Sequence, residues 1–273
     1  MRPRARHVSA IRSKQSVGDV QRSSARSSRG IPAALASSLT KPATDRTARS
    51  APAPAAVLSR DIPPLPTAVL ASGQGTNLQA VIDAARGHAL PIDLRLVLSD
   101  TPNAFALQRA RNAGIPTAVC TFDRAAADRA AYALQVASHI RRAGARLVLL
   151  LGWMHVFAEQ FLNEGFDGVL NLHPAYLPED PGADIVTFPD GSSSPVFRGP
   201  RALRDAIASN ARYTGATLMQ ITADVDRGPV LARRPMVLHP GESEEVALER
   251  LHSVERDVVR EGIARWLEAR RPA

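Results

Sequence analysis

The stretch TAVLASGQGTNLQAVIDAA (67–85) runs from an apolar segment through Gly73 and Gly75 into an amphipathic one. Strand, glycine turn and helix in that order open a βαβ unit. The glycines let backbone N–H groups approach an anion, and a helix starting at Asn77 favours negative charge at its N-terminus. Two nucleotide templates fail. No Gly-Lys-Ser/Thr follows the loop, and Leu78 stands where a dinucleotide fingerprint needs a third Gly or Ala. The loop therefore reads either as a phosphate cradle or as an ordinary strand-to-helix turn.

Working outward, TAVLAS (67–72), IDLRLVLS (92–99), IPTAVC (115–120), RLVLLLG (146–152) and DGVLNL (167–172) predict strands. Helices are predicted over 77–87, 103–113 and 124–143, with a shorter one in AEQFLNEGF (158–166). Apolar strands alternating with helices predict an α/β fold with a Rossmann-like, doubly wound and mostly parallel sheet, which binds ligands at the carboxyl ends of its strands. After Pro174 the texture changes. AYLPEDPGADIVTFPDGSSSPVFRGP (175–200) predicts a functional loop or an insertion. A helix follows at 200–209, and YTGATLMQIT (213–222) and PVLARRPMVL (229–238), joined by ADVDRG, predict an antiparallel C-terminal strand pair. The last element, 244–269, places Val246, Leu248, Leu251, Val254, Val258, Ile263 and Leu267 near one helical stripe.

The net charge of +8 over 273 residues first suggests nucleic acid, but its distribution does not. Residues 1–60 hold twelve of the 34 Lys and Arg and two of the 26 Asp and Glu, so the remainder is net negative. Residues 1–62 predict a disordered basic tail and 63–273 one folded domain. An Arg-rich, Ser-rich, acid-poor tail is also what an organellar transit peptide looks like, or the product of a start codon upstream of the true one. The lysine-free remainder, with its arginine bias, favours a cytoplasmic protein. RLVLLLGWMHVF (146–157) is too short for a membrane span and contains a His, so no membrane partner is expected. The single cysteine, Cys120, excludes an internal disulfide and a Cys-rich metal site, and ends an apolar segment as a core residue would.

NLHPAYLP (171–178) carries Asn171 and His173 just after a buried strand. Side chains two apart on extended chain share a face, so amide and imidazole can converge on one atom. Pro174 keeps His173 out of any helix. A lone His is as readily a satisfied structural residue. Asp224 and Asp226 lie in a turn shaped by Gly228 and Pro229, and such turns are often merely solvated. Were that turn to fold over His173, Asp226 would hold a charged imidazole or relay a proton. Zinc hydrolysis fits poorly, because His139, His155, His173 and His239 lack helical ligand spacing, and no metal is expected. No Gly-x-Ser-x-Gly elbow is present either.

Taken in order, VLASGQGTNLQAVIDA, LLGWMHVF, NLHPAYLP and DVDRGPVL resemble the folate-dependent formyltransferases. The first of them is characteristic of the phosphoribosylglycinamide formyltransferase branch. The resemblance runs from about Thr67 to the last helix and implies the formyltransferase fold. It implies 10-formyltetrahydrofolate as formyl donor and 5-phosphoribosylglycinamide as acceptor, with Asn171, His173 and Asp226 catalytic. By the same resemblance, Gly75, Thr76 and Asn77 would hold the 5′-phosphate, and His252, Ser253, Val254 and Glu255 would contact the same substrate. Arg129, Met154, His155, Val156 and Phe157, with Asn171 and the turn Thr222, Ala223, Asp224, Val225 and Asp226, would line the folate pocket. The implied mechanism has Asn171 and protonated His173 stabilise the oxyanion while Asp226 raises the His173 pKa. The implied protein is a monomer or homodimer working on small molecules, without nucleic acid. A Gly75→Val substitution would then impair use of the phosphorylated substrate and spare folate.

The sequence also departs from the pattern. A longer loop, ADIVTFPDGSSSPVF (183–197), replaces a short link containing histidines, and FRGPRALRDAI (197–207) is similar to an Arg-Gly-x-x-Pro segment of methionyl-tRNA formyltransferases. His155 stands where an Arg is usual, and Met219 where a His is usual. The alternatives are another amine acceptor, formyltetrahydrofolate deformylase, or a non-catalytic folate- or phosphosugar-binding paralogue.

Overall fold

The computed structural model describes residues 63–270 apart from 124, 126, 127 and 158. The basic tail expected over 1–62 lies outside the described residues. Strands β1 (Leu65–Leu70), β2 (Ile92–Ser99), β3 (Thr117–Val119), β4 (Leu147–Leu150) and β5 (Gly168–His173) alternate with α1 (Thr76–Arg86), α2 (Phe105–Asn112), α3 (Arg129–Arg142) and the short α4 (Glu159–Leu162). A hairpin of β6 (Ile185–Thr187) and β7 (Ser193–Pro195) follows, then α5 (Ala202–Ala208), β8 (Tyr213–Gln220), β9 (Val230–Val237) and α6 (Glu244–Glu268). The main sheet has the order β3-β2-β1-β4-β5-β8-β9. Its first five strands are parallel, whereas β8 runs antiparallel to β5, and β9 to β8.

Residue alternation explains why helices cover both faces. Val69 of β1 and Ala71 just beyond it join the core beneath α1, α2 and α6, while Ala68 and Leu70 of β1 join the core beneath α3 and α4. In β4, Leu147 and Leu149 go to the first core, and Val148 and Leu150 to the second. The period-2 pattern of a strand buried on both faces thus becomes two hydrophobic layers. Chain direction reverses its crossover between β1 and β4, so the loops after these strands diverge and leave a crevice at their carboxyl ends.

Several boundaries differ from the sequence-based expectation. Helix α1 starts at Thr76, because Gly75 is its N-cap in the left-handed region with φ 69°. Helix α3 starts at Arg129, where the Asp128 side chain accepts the Ala131 N–H at 2.8 Å. The stretch 183–197, expected as a loop or insertion, contains the β6–β7 hairpin. It is held by contacts distant in sequence: Phe188 stacks on Tyr176 and Tyr213, and the Tyr213 hydroxyl donates to Asp190 at 2.7 Å. In α6, Leu251, Val258 and Ile263 are buried as the stripe required, but Val246 and Leu248 are exposed. Among the described residues no helix is long and apolar enough to cross a membrane.

Gly75 has a scaffold role that its sequence context hides. A Cβ there would stand 2.8 Å from Ala106 Cα on α2, in a backbone conformation that side chains disfavour. Gly75→Val is therefore expected to lower stability by about 2 kcal/mol or more, read from a urea midpoint, and to impair every ligand together. That corrects the expectation that this substitution would separate the two substrates. A Cβ on Gly73 meets nothing within 4 Å. Gly73→Ala is the cleaner probe, and should keep the wild-type midpoint.

Candidate active site

A cleft of about 600 Å³ opens along the carboxyl ends of β1, β4 and β5. Its walls come from the glycine loop after β1, the end of β4 with the segment 151–157 that follows it, the end of β5, the turn after β8, and one face of α6.

Asn171 and His173 occupy alternate positions at the end of β5, opposite Met219 and Thr217 of β8, and both line the cleft. His173 is 4% exposed. The turn after β8 does fold over it: Asp226 Oδ1 lies 3.5 Å from His173 Nδ1. Asp226 itself has φ 53°, a left-handed conformation that Asp tolerates better than most residues. Its second oxygen accepts the Gly199 N–H at 2.9 Å, and His173 Nε2 lies 3.2 Å from the Phe197 carbonyl oxygen. Gly228 closes the turn where no side chain fits, since a Cβ would overlap the Gln220 carbonyl oxygen.

Burial pushes the His173 pKa below its ordinary value. Asp226 and the Phe197 carbonyl raise it in part, and the Arg198 charge lowers it. The direction corrects the expectation of a raised pKa: Asp226 acts with the expected sign, but loss of water around the imidazole outweighs it. A lowered pKa favours the neutral ring, whose unprotonated nitrogen can act as a base, while the acceptor oxygens at both nitrogens favour the protonated one.

At another part of the cleft, Asn77 Nδ2 donates to Glu255 Oε2 at 2.8 Å, joining α1 to α6 across 178 residues of sequence. Both residues are buried, and His252 Nε2 stands 4.0 Å from the same carboxylate oxygen. Burial pushes the Glu255 carboxyl up, with the Asn77 hydrogen bond offsetting part of the effect. Asn77 Oδ1 is buried without a protein partner and forms part of the cleft region. Gly75 and Thr76 line the same cleft beside it. Of the other residues expected on α6, Ser253 and Val254 are not in the lining; Val254 packs against the core.

The third part is aromatic. Trp153 stacks on Phe157 with ring centroids 5.9 Å apart, and His155 packs against Phe122, Tyr132 and Trp153. His155 Nε2 lies 2.8 Å from Asp100 Oδ2, which fixes the ring against that wall. Arg129 holds its guanidinium over Phe122 at 5.7 Å and lines the cleft. Met154 and Val156 are exposed there, as is Val225 in the turn. Thr222 and Asp224 are in the lining, whereas Ala223 is not. Sequence reasoning missed Trp153, Leu248, Gly199 and Pro200, all of which line the cleft. The Arg-Gly-Pro run at 198–200 is the local signal for the last two.

Among the described residues no group of three or more His, Cys, Asp or Glu could hold a metal ion. What converges is a buried base with its carboxylate, an amide on the same strand face, a helix N-terminus behind glycines, and an apolar aromatic wall. Such a set suits proton-coupled transfer between two organic substrates.

The His173 titration is directly observable. Its ring C–H proton resonance should titrate with a midpoint below 6.5, and Asp226→Asn should move that midpoint further down, because the raising influence is lost. A midpoint above 6.5 would contradict burial as the dominant cause.

The formyl transferase family model matches residues 66–188 and 191–263. Phosphoribosylglycinamide formyltransferase of Dictyostelium discoideum is 30% identical over 207 residues, covering 71% of this chain and 94% of that protein. The trifunctional purine biosynthetic protein adenosine-3 of Drosophila melanogaster is 31% identical over 190 residues, 69% of this chain, but the chain spans 13% of that protein's length. The crystal structure of glycinamide ribonucleotide transformylase 1 from Symbiobacterium toebii superposes with a TM-score of 0.65 at 31% identity, covering 76% of this chain and 89% of that one. With the family's pattern running through most of the sheet and through every wall of the cleft, the chain belongs to the formyl transferase family.

Proposed function

We propose that this domain transfers a formyl group from 10-formyltetrahydrofolate to the amine of 5-phosphoribosylglycinamide, a step of purine biosynthesis. The observation that carries this reading is the buried His173–Asp226 pair beside Asn171, facing a cleft with a phosphate-type loop and an aromatic wall. Relatives named phosphoribosylglycinamide formyltransferase support the acceptor, the family resemblance supplies the folate donor, and the cleft's parts suit the chemistry of both. The N-terminus of α1 behind Gly73 and Gly75 suits a phosphate monoester, a ligand that needs no third glycine. Asn77 and Glu255 suit the polar sugar, and the Trp153, His155 and Phe157 wall suits a flat heteroaromatic ring.

In this mechanism the acceptor amine attacks the formyl carbon, and Asn171 donates a hydrogen bond to the formyl oxygen. Neutral His173 takes the proton that the attacking amine loses. The imidazolium so formed lies beside Asp226 and stabilises the oxyanion, then releases the proton toward the departing folate nitrogen. The carbon–nitrogen bond to the acceptor forms as that to folate breaks. His173, depressed in pKa by burial, is poised to accept the proton and to give it up again.

The test is the full chain with 10-formyltetrahydrofolate and 5-phosphoribosylglycinamide, following tetrahydrofolate release. His173→Ala should lower kcat about a hundredfold or more, the usual cost of losing one such group. Turnover only with water as acceptor would replace this reading with a deformylase. Glu255→Gln, which keeps size and a hydrogen bond to Asn77, should raise KM for the phosphoribosylated substrate about tenfold and change KM for the folate little. Equal changes in both would remove Glu255 from the acceptor side.

A further inference from the structure

We propose that Arg198 and Gly199, at the exit of the β6–β7 hairpin, position the His173–Asp226 pair for catalysis. This rests on the reading of those two residues as the reacting pair. Three consecutive residues reach it. The Phe197 carbonyl meets His173 Nε2 at 3.2 Å, the Arg198 Nε donates to the Asp226 carbonyl oxygen at 3.4 Å, and the Gly199 N–H donates to Asp226 Oδ2 at 2.9 Å. The segment therefore touches both ring and carboxylate, on the sides that do not face each other.

The carboxylate needs such a partner. Asp226 sits in a left-handed conformation in an exposed turn, and its Oδ1 faces His173 only while Oδ2 is held elsewhere. Gly199, with φ 81°, provides the donating N–H from a backbone shape that glycine favours.

Arg198 in turn is anchored away from the cleft. Its guanidinium donates to the Ala183 carbonyl oxygen at 2.7 Å and to Asp184 Oδ1 at 3.0 Å. Arg227, the residue after Asp226, donates to the same Asp184 oxygen at 2.7 Å and to the Pro181 carbonyl oxygen at 2.7 Å. Two arginines, one on each side of the carboxylate-bearing turn, thus converge on one acidic residue at the entry to the hairpin. The hairpin and its flanks serve as a brace for the turn: the entry holds both arginines, and the exit supplies the hydrogen bonds to the reacting pair. Arg198 is a positioning residue in this account: it touches none of the reacting atoms, it holds Asp226 by its backbone carbonyl, and its charge bears on His173 only from a distance.

The test compares the wild-type full chain with Arg198→Ala, Asp226→Asn and the double variant. Arg198→Ala should lower kcat about tenfold or more, with KM for both substrates changed less than about twofold, as misplacement of a reacting group predicts. Compared on the high-pH plateau of each variant's rate profile, where the effect of the Arg198 charge on the His173 pKa drops out, the loss in the double variant should be no larger than for Asp226→Asn alone, because the arginine positions that residue. Multiplying losses, or an unchanged kcat in Arg198→Ala, would overturn the proposal. A second measurement does not depend on turnover. Amide hydrogen exchange across 222–228 should accelerate in Arg198→Ala while the urea midpoint stays at the wild-type value; unchanged exchange there would overturn the proposal as well. If the wild-type chain releases no tetrahydrofolate from either acceptor, the functional reading falls, and exchange alone decides the brace.

Discussion

An imidazole and a carboxylate, both nearly out of water at the end of one buried strand, set the terms for the rest of this structure. Desolvation disfavours the charged imidazole and the neighbouring carboxylate opposes that tendency, so His173 rests neutral yet close to a charge that would stabilise its protonated form. Such a pair is costly unless its remaining polar atoms are satisfied. Around it the chain sets a polar atom against each of them, although a neutral ring can donate to only one of its two acceptor oxygens. Phe197 meets Nε2, Gly199 meets Oδ2, and the turn closes over the top through a glycine against which no side chain fits.

The parallel sheet is what makes burial at that point feasible. With both faces of β1, β4 and β5 covered by helices, the strand ends come out into a crevice that is walled but not filled. Helix α6 closes the distant side by packing on β8 and β9 tightly enough that Gly262 leaves no room for a methyl group beside Leu218. That packing carries Glu255 to Asn77. A contact made for stability on one face of α6 therefore sets the position of a polar group on the other.

The fold and most of the site were legible in the sequence for physical reasons. Apolar runs of strand length separated by amphipathic ones allow few architectures, and β2 over 92–99 had the same limits in sequence and structure. Asn171 and His173 were legible because alternation along a strand is a strict rule. Asp226 was visible only conditionally, since nothing local says where a turn lands. The β6–β7 hairpin was not legible, because Ile-Val-Thr and Ser-Ser-Pro are too short to signal strands, and what orders them is stacking with Tyr176 and Tyr213. The sign of the His173 shift was hidden for a similar reason. A neighbouring carboxylate can be read from a motif, whereas the depth of burial depends on the whole cleft.

Gly75 shows how one residue can satisfy two demands that sequence reasoning treats as rivals. A phosphate cradle and an ordinary turn were opposite readings of the same loop, yet φ 69° and the close approach of Ala106 make glycine necessary whichever is true. The scaffold requirement fixes where α1 starts, and the start of α1 fixes where its unpaired N–H groups point. An anion site at that helix end thus needs no residue of its own beyond those the fold already demands. The same economy appears at the exit of the β6–β7 hairpin, where backbone groups at 197 and 199 serve the reacting pair, and the side chains between and beyond them only have to hold the backbone still. Backbone donors and acceptors carry no identity, so what the segment must supply beside the base is a path for the backbone rather than particular side chains.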